Sequence, residues 1–535
     1  MLQIDNLPPE VLLEIFEHLE PQSRLLASTV CRKWLQLLRK STFDADRQLY
    51  VNEKLLKNQD TCQFLVKNSR LKYKKVRLDS VKSVDEHPDL WSHLGKDVHS
   101  AQIRSTGLVK DDKKDFLKDF PELRELKLIS NANWKTFYQF NTELSQLRKL
   151  SVILDRYQGP LDALKAFLEK NQTLNELQIK SNSMNNQDLV NLIKENAQKV
   201  TKLGISLSNN DIQTLLTDQC PFERLRKLSL TLPEAQNEAK IHSVLMIFPK
   251  ITNLELKLDG FIPVSGFKNL KSLEIENFSY DARQLKALAA QKSLQKLIIN
   301  YNSSADGSCF FIHERLDNPN LTFLHIYQKN LDPCMVCMSN LCESYPKLQD
   351  FKTNLPFLNR HLQVMTRNCL NLRHLRLKFG PTEDSEVLET QFSPEMHSLS
   401  LNSFRINENC LLKWKEMTKL TSLNVNLDDD CTEESFRKFM KNFPVLEKVS
   451  FVSRATDEMI FAAIDECKRL KNIATCCSKS SKVTEEGLKY VLKHGKAIRK
   501  VEFHSIKNVS LEELKAVKNG DNTIAVFTAG SVNYL

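Results

Sequence analysis

The chain has 535 residues, a formal net charge of +10, 41% hydrophobic residues and 27% charged residues. These proportions are typical of a folded protein and exclude an intrinsically disordered or collagen-like chain. Only 12 residues are glycine, which argues against phosphate-cradling loops and flexible linkers. The apolar runs, such as the five residues at 244–248, are too short for a transmembrane helix.

The first forty residues are predicted to form three short helices. Pro8 suits the first turn of a helix. The apolar residues that follow it recur at helical spacing: Leu12, Ile15, Phe16 and Leu19. A second helix is predicted after Pro21, and Trp34 lies on the apolar stripe of a third. A bundle this small is not expected to be stable alone, so a partner should cover part of its apolar surface.

This segment resembles the F-box. The family's Leu-Pro-x-Glu opening lies at residues 7–10, its Ile-Phe-x-x-Leu motif at 15–19, and its Ser-x-Val-Cys-Arg/Lys-x-Trp signature at 28–34. The resemblance implies that the segment docks on the Skp-type adaptor of a cullin-RING ubiquitin ligase. The adaptor-binding residues that it nominates are Leu7, Pro8, Ile15, Phe16, Leu19, Val30 and Trp34. The sequence leaves open which of these contact the adaptor and which only pack the bundle.

Residues 41–72 are charged and compatible with helix, and they contain neither Gly nor Pro. We therefore expect a helical coupling segment rather than a flexible linker, and the sequence leaves open a degenerate first repeat within it. A basic run follows at residues 67–77. The favoured interpretation is a set of solvent-facing side chains around the next strand, and the alternative is a nuclear-import signal or a nucleic-acid contact.

A segment of about 25 residues recurs from residue 73 onward, and each copy opens with L-x-x-L-x-L or a close apolar variant. The eighteen copies start at Tyr73, Val98, Leu123, Leu147, Leu174, Val200, Leu225, Ile251, Leu270, Leu294, Leu321, Leu348, Leu372, Met396, Leu420, Leu446, Leu470 and Ile498. Their spacing is 24 to 28 residues, except for 19 residues between Ile251 and Leu270. The last two apolar positions alternate, which predicts a short strand with one buried face.

The linkers between these strands usually carry helical spacing, as at Leu189, Leu192 and Ile193. One strand and one helix cannot bury their apolar sides alone, so neighbouring copies must stack. We predict an α/β solenoid shaped as a horseshoe, with parallel strands on the concave face, helices on the convex face and no deep pocket.

The copies resemble leucine-rich repeats of the longer, helix-bearing kind. A cysteine just before some strands, as in the segment Asn368 to Leu375, is similar to the cysteine-containing subfamily. The predicted domains are therefore an F-box at 1–40, a helical coupling segment at 41–72 and a solenoid of about 18 repeats at 73–535. This combination resembles the F-box and leucine-rich-repeat protein family.

The sequence contains no phosphate-binding loop, zinc-protease motif or serine-hydrolase motif, so we expect neither catalysis nor a cofactor. The N-terminus lacks a secretory pattern, so the 13 scattered cysteines are expected to be free thiols in a reducing compartment. The one metal-like spacing is Cys334-x-x-Cys337 with Cys342 behind it. A zinc site usually needs four ligands, so we expect instead a helix that buries Cys337, Leu341 and Tyr345, and no metal.

Strand residues that alternate with the buried ones should line the concave face. Most copies place small or charged residues there, whereas the copy at 321–327 places aromatic ones there and its neighbours add basic ones. Aromatic side chains beside Arg and Lys are typical of binding hot spots. The candidate substrate-binding residues are Phe323, His325, Tyr327, Lys352, Arg376 and Lys378. The alternatives are that loop residues cover the rings or that the strand is out of register.

The favoured function is that of a non-catalytic substrate receptor in an SCF-type ubiquitin ligase, leading to ubiquitination and proteasomal degradation. The alternative is a ligase-independent repeat scaffold or inhibitor, and a nuclear nucleic-acid-associated factor is a third, weaker interpretation. The net positive charge and a row of lysines favour an acidic protein partner; the row comprises Lys149, Lys202, Lys227 and Lys296. We expect no membrane partner and a cytoplasmic location, with a nuclear pool left open. The substrate, its degron and the oligomeric state are also left open.

Overall fold

The computed structural model divides into two compact units, Met1–Leu258 and Asp259–Leu535. The residues it describes are 12, 16, 34, 37, 48–67, 73–79, 88–105, 116–130, 142–154, 161–181, 187–217, 222–232, 238–258, 269–278, 291–301, 318–327, 334–378, 392–428, 430–452, 455–475, 482–503, 506, 525–528 and 531–534.

The first unit is built on strands that follow one another at the repeat spacing. They are β1 (Gln48–Asn52), β2 (Lys75–Asp79), β3 (Ser100–Ser105), β4 (Glu125–Ser130), β5 (Lys149–Leu154), β6 (Glu176–Ser181), β7 (Lys202–Ser206), β8 (Lys227–Thr231) and β9 (Asn253–Lys257). Each strand pairs in parallel with the next one along the chain. Because parallel strands are joined by crossovers, equivalent positions of successive repeats lie side by side.

The second unit repeats the same arrangement. Its strands are β10 (Ser272–Phe278), β11 (Lys296–Tyr301), β12 (Phe323–Tyr327), β13 (Asp350–Pro356), β14 (His374–Lys378), β15 (Ser398–Ile406), β16 (Ser422–Leu427), β17 (Lys448–Phe451), β18 (Asn472–Thr475), β19 (Lys500–Phe503), β20 (Ala525–Thr528) and β21 (Ser531–Tyr534). β10 to β20 pair in parallel in chain order. β21 is antiparallel to β20, so a short hairpin follows the last parallel strand.

Helices occupy many of the linkers between strands. In the first unit they are α1 (Glu53–Lys57), α2 (Gln59–Lys67), α3 (Pro88–Leu94), α4 (Asp162–Lys170), α5 (Gln187–Glu195), α6 (Asn209–Thr217) and α7 (Glu238–Met246). In the second they are α8 (Met335–Ser344), α9 (Asn359–Asn368), α10 (Glu408–Lys413), α11 (Glu433–Met440), α12 (Asp457–Glu466) and α13 (Glu485–His494). Single 3₁₀ turns form at Gly95–Asp97 and Phe116–Asp119.

The core of each repeat lies between its strand and its helix. In β5, Leu150 and Val152 are fully buried, whereas Lys149 at the start of the strand is half-buried. Helix α11 buries Phe436, Phe439 and Met440 on one face. Each such side chain contributes about 1.5–3 kcal/mol through loss of apolar surface to water, and none could do so without the neighbouring repeats.

The predicted α/β repeat fold is confirmed, because a strand begins two residues after each of the eighteen predicted starts. Lys75 follows Tyr73 in this way, and Lys500 follows Ile498. The first apolar residue of each motif packs in the turn before the strand. Leu123, for example, is fully buried and donates its backbone N–H to the Phe120 carbonyl at 3.2 Å.

The predicted coupling segment, residues 41–72, contains α1 and α2 and also the strand β1, which pairs with β2 like any repeat strand. The boundary of the solenoid at residue 72 stays a prediction. Within the described residues, no helix is both long and apolar enough to cross a membrane.

Candidate functional site

The candidate substrate site lies on the open face of the sheet, defined here as the strand residues that alternate with the buried ones. Parallel register places Phe323 of β12 beside Asp350 of β13, and Asp350 beside His374 of β14. One step along the strands, His325 lies beside Lys352, and Lys352 beside Arg376. The candidate residues therefore come from three adjacent strands and form one patch, which we call the aromatic cluster.

His325 is at the centre of the aromatic cluster, and its side chain is only 7% exposed. Its Nε2 atom lies 2.9 Å from Oδ1 of Asp350. Its ring is 3.9 Å from the ring of Phe323 and 6.0 Å, edge to face, from that of Tyr327. The expectation that His325 is exposed is therefore wrong: the two neighbouring rings cover it and the carboxylate satisfies its polar edge.

Two lysines lie over the ring of Phe323. The Nζ atom of Lys296 is 4.9 Å from the ring centroid, and that of Lys352 is 5.7 Å from it. Both distances are within the range of cation–π attraction. Lys352 Nζ is also 3.9 Å from Oδ2 of Asp350, so Asp350 holds both the imidazole and one of the ammonium groups in place.

Burial favours the uncharged forms of Tyr327 and His374 at the edge of the cluster. It raises the pKa of Tyr327, an effect that the nearby Arg376 opposes. It lowers the pKa of His374, although Asp350 acts in the opposite direction. At neutral pH both side chains are therefore uncharged, and Tyr327 keeps a hydroxyl that can donate a hydrogen bond.

Arg376 is exposed at the edge of the cluster. Lys378 belongs to β14 through its backbone, and its side chain lies outside the described residues. The patch thus offers half-buried rings beside positive charge, which suits a partner that presents an apolar or aromatic side chain next to an acidic one. The role of all six candidate residues in binding substrate stays a prediction.

Of the predicted adaptor-binding residues, the structure describes Phe16 and Trp34; Leu7, Pro8, Ile15, Leu19 and Val30 lie outside the described residues. The rings of Phe16 and Trp34 pack edge to face with their centroids 5.1 Å apart. Phe16 is 1% exposed, and Trp34 is partly exposed. Phe16 therefore packs inside the segment, and burial favours its alternative role of holding the bundle together.

A recess that the sequence pattern does not predict lies on the open face of the first unit. We call it the Gly204 groove; its volume is about 280 Å³. Its lining residues are Lys149, Leu150, Glu176, Leu177, Gln178, Lys202, Leu203, Gly204, Lys227, Ser229 and Glu255. Three of the four lysines of the predicted row lie here. The sequence signal that could have located the groove is a glycine inside a strand.

The cysteines described by the structure are free thiols: Cys62, Cys334, Cys342, Cys369, Cys410, Cys431 and Cys467. The helix after Cys334 buries Leu341 and Tyr345 as expected, and Met338 and Cys342 as well; the side chain of Cys337 lies outside the described residues. No group of three potential metal ligands occurs in the described part of the chain.

Residues 4–43 match the F-box-like family. A comparison with curated proteins gives no match. Similar solved structures include the plant peptide hormone receptor RGFR1 in complex with RGF2, with 14% identity over 82% of this chain and 80% of that chain and a TM-score of 0.31.

Two further similar structures are also complexes. The first is the LRR ectodomain of the receptor kinase GASSHO1/SCHENGEN3 from Arabidopsis thaliana in complex with CASPARIAN STRIP INTEGRITY FACTOR 2, with 12% identity over 91% of this chain and 64% of that chain and a TM-score of 0.37. The second is TLR13 in complex with ssRNA13, with 14% identity over 85% of this chain and 70% of that chain and a TM-score of 0.39. This chain thus spans less than two thirds of the Arabidopsis ectodomain. The repeat fold rests on the strand order of the chain itself, not on these likenesses.

Proposed function

We propose that this chain, which carries an F-box-like segment ahead of a leucine-rich-repeat solenoid, is the substrate-recognition subunit of an SCF-type ubiquitin ligase. The F-box-like segment docks on a Skp-type adaptor and, through it, on a cullin-RING ligase. The repeats hold a protein substrate, which is ubiquitinated and then degraded by the proteasome. The observation that carries the proposal is the family match at residues 4–43 directly before the repeats.

The fold supports a binding function rather than a catalytic one. Within each unit, repeats stacked in register expose rows of side chains, a surface suited to extended or flat protein partners. On that surface Asp350 Oδ1 lies 2.9 Å from His325 Nε2 and holds the ring between Phe323 and Tyr327, which is a packing arrangement. The chain itself is therefore proposed to supply no catalytic group.

The substrate site of this proposal is the aromatic cluster. Phe323 and Tyr327 are half-buried and held by neighbouring side chains, so little conformational entropy is lost when a partner packs on them. Lys352 and Arg376 add positive charge at the rim. Such rigid aromatic anchors beside cations match the composition of energetically dominant interface residues.

The proposal is tested by expressing the tagged full chain in cells and measuring which proteins co-purify with it. We expect both a Skp-type adaptor and a cullin. The variant Leu7→Ala/Pro8→Ala should lose both, whereas Leu412→Ala, a control at an exposed leucine of the second unit, should retain both.

Capture of the adaptor without a cullin would contradict the ligase function and favour the scaffold alternative. Equal capture of the adaptor by the wild type and the Leu7→Ala/Pro8→Ala variant would show that the F-box-like segment does not dock as proposed. The thermal midpoint of each variant should be measured in parallel, so that loss of folding is separated from loss of contact.

A further inference from the structure

The Gly204 groove has an unusual distribution of charge. In the first outward-facing position of successive strands, register places Lys149, Glu176, Lys202 and Lys227 side by side in β5 to β8. Charge therefore alternates in sign along the row until it reaches two lysines in succession. Like charges directly opposite on adjacent strands, about 4.8 Å apart, destabilise a sheet.

The carboxylates of the row already form ion pairs with lysines other than Lys227. Glu176 forms an ion pair with Lys202, and Glu125 lies 3.8 Å from the Nζ atom of Lys149. Among the residues that the structure describes, Lys227 takes part in no ion pair, and its side chain is exposed. The Lys227 ammonium group is therefore the site in the groove at which an added anion would gain most.

The floor of the groove exists because residue 204 has no side chain. A Cβ atom at this position would lie 2.9 Å from Cγ of Gln178, so the Gln178 side chain occupies the space above the glycine. Its Oε1 atom accepts a hydrogen bond of 3.0 Å from Ser151 Oγ, which leaves the amide N–H₂ group of this groove-lining residue as an available donor. The hydroxyl of Ser229 lines the same floor.

These features favour a carboxylate as the ligand of the groove. The donors around the floor are an ammonium, an amide and a hydroxyl, all of which bind anionic oxygen. Phosphate recognition usually relies on arginine forks or clustered backbone N–H groups, and no arginine lines this groove. Glu176 and Glu255 also line it and would repel a dianion more strongly than a carboxylate.

The size of the groove limits its occupant to part of a peptide. Its volume of about 280 Å³ falls just below the range of about 300–1,000 Å³ that is usual for small-molecule pockets. It lies on an open sheet face, along which an extended segment can run. The occupant that fits is one acidic side chain of a peptide, and the carboxylate of the lining residue Glu255 is an acceptor for a backbone N–H group of the same peptide.

We propose that the Gly204 groove binds an Asp or Glu side chain of an extended acidic segment of the substrate, through Lys227, Gln178 and Ser229. This proposal rests on the proposed function in assuming a protein substrate. It adds a second contact to that substrate, in the first unit, whereas the aromatic cluster lies in the second. Peptide binding and adaptor binding are measured separately, so either can fail without the other.

The test is fluorescence anisotropy of the full chain with a labelled peptide of alternating glutamate and glycine. We expect the affinity to fall about tenfold or more when glutamine replaces glutamate in the peptide. A tenfold fall corresponds to about 1.4 kcal/mol. Lys227→Gln and Gly204→Val should each weaken binding of the glutamate peptide by a similar factor. Lys448→Gln, at an exposed lysine in the equivalent position of β17, should leave it unchanged.

Gly204→Val is expected to fold, because Gly204 has an ordinary extended backbone within β7 and valine is favoured in strands. An equal loss in Lys448→Gln would overturn the proposal in favour of a diffuse electrostatic field. Failure of the wild type to prefer glutamate over glutamine would overturn it outright. Tighter binding of the corresponding phosphoserine peptide would overturn the assignment to a carboxylate.

Discussion

Asp457 accepts two hydrogen bonds from Thr484, a residue one repeat further along the chain. The Thr484 backbone N–H donates to Oδ1 at 2.9 Å, and Thr484 Oγ1 donates to Oδ2 at 2.6 Å. Thr484 is itself the N-cap of α13, and its hydroxyl accepts from Glu486 N at 3.2 Å. Thr432 at the start of α11 donates in the same way to Glu408 of α10. At these two junctions, the N-cap of one helix is held by an acidic side chain in the first turn of the previous helix.

Thr484→Ala should lower the free energy of unfolding by about 1–2 kcal/mol, because the substitution removes an N-cap together with the contact between repeats. Gly487→Ala should have an effect of similar size, since a Cβ atom there would lie 2.2 Å from Asp457 Oδ1. Urea unfolding measures both. Thr421→Ala, a substitution on the strand side of the repeats, offers a comparison for the loss of a threonine hydroxyl outside a cap. A Gly487→Ala variant as stable as the wild type would contradict the role given to Asp457.

Phe16→Ala should destabilise the F-box-like segment by about 3–5 kcal/mol, the usual effect of truncating a buried phenylalanine. Phe16→Leu keeps most of the apolar volume and should cost markedly less. Limited proteolysis of residues 4–43 reports on the folding of the segment, and adaptor capture reports on function. If Phe16→Ala loses both resistance to proteolysis and adaptor capture, and Phe16→Leu regains both, then Phe16 supports capture by stabilising the bundle. Lost capture in a segment that resists proteolysis would instead make Phe16 a direct contact.

The periodic part of the fold could be predicted from the sequence because it depends on local pattern. The alternation at Leu150 and Val152 is enough to place a strand and its buried face. The side-chain arrangement of the candidate site could not be predicted in the same way. The burial of His325 depends on Phe323, Tyr327 and Asp350 meeting it across the sheet, and these contacts depend on the register between repeats of unequal length.

The pairing of charged side chains could not be predicted from the sequence either. The sequence shows Lys149, Lys202 and Lys227 as a row of positive residues, but Glu176 and Glu125 pair with the first two of them. Only the pairing of adjacent strands shows that Lys227 has no such partner among the described residues. Likewise, the motif of the first forty residues nominates Phe16 for contact with the adaptor, and packing against Trp34 places it in the interior.

Buried thiols should make the free energy of unfolding fall at alkaline pH. Burial raises the pKa of Cys431 and Cys467 from 9.0 to about 12. A raised folded-state pKa means that the unfolded state loses its protons first. The contribution of these thiols is therefore complete below about pH 9 and declines as the pH rises toward about 12. Denaturant unfolding at a series of pH values measures this, and Cys431→Ala/Cys467→Ala should flatten the alkaline slope.

The same burial should protect these cysteines from alkylation. Cys467 Sγ lies 3.7 Å from the Met440 carbonyl and 3.8 Å from that of Phe443, and the thiolate that reacts with iodoacetamide is disfavoured there. We expect mass spectrometry to find Cys467 unmodified in the folded protein at pH 8 and modified in urea. Cys334, which is partly exposed, serves as the reactive reference. Equal labelling of the two residues before unfolding would contradict the structure.

Chelation should leave the thermal midpoint unchanged, because in the described part of the chain no three potential ligands meet. The sequence favours the same result, since the pair Cys334 and Cys337 has no second pair at zinc-site spacing. The measurement is a thermal melt with and without EDTA, together with elemental analysis of the purified chain. Stoichiometric zinc, or a midpoint that falls on chelation, would refute the prediction.

Capture of substrate should depend on the aromatic cluster. Tyr327→Ala/Arg376→Ala removes a half-buried ring and an exposed cation from its edge, and loss of two such residues typically weakens an interface by about 2 kcal/mol or more. We expect loss of the proteins that co-purify with the repeats, while the adaptor, which is proposed to bind the separate F-box-like segment, is retained. Arg367→Ala, at an exposed arginine in helix α9, is the matched control for loss of a charge.

Raising the salt concentration separates the electrostatic contribution to substrate binding from the packing contribution. Attraction between the positive face and an acidic partner is screened at high ionic strength, since the Debye length falls to about 3 Å at 1 M salt. Packing on Phe323 and Tyr327 is not screened in this way. We therefore expect raised salt to slow association while a residual affinity persists in the wild type and disappears in Tyr327→Ala/Arg376→Ala. Capture that is insensitive to both raised salt and the double substitution would place substrate binding outside the aromatic cluster.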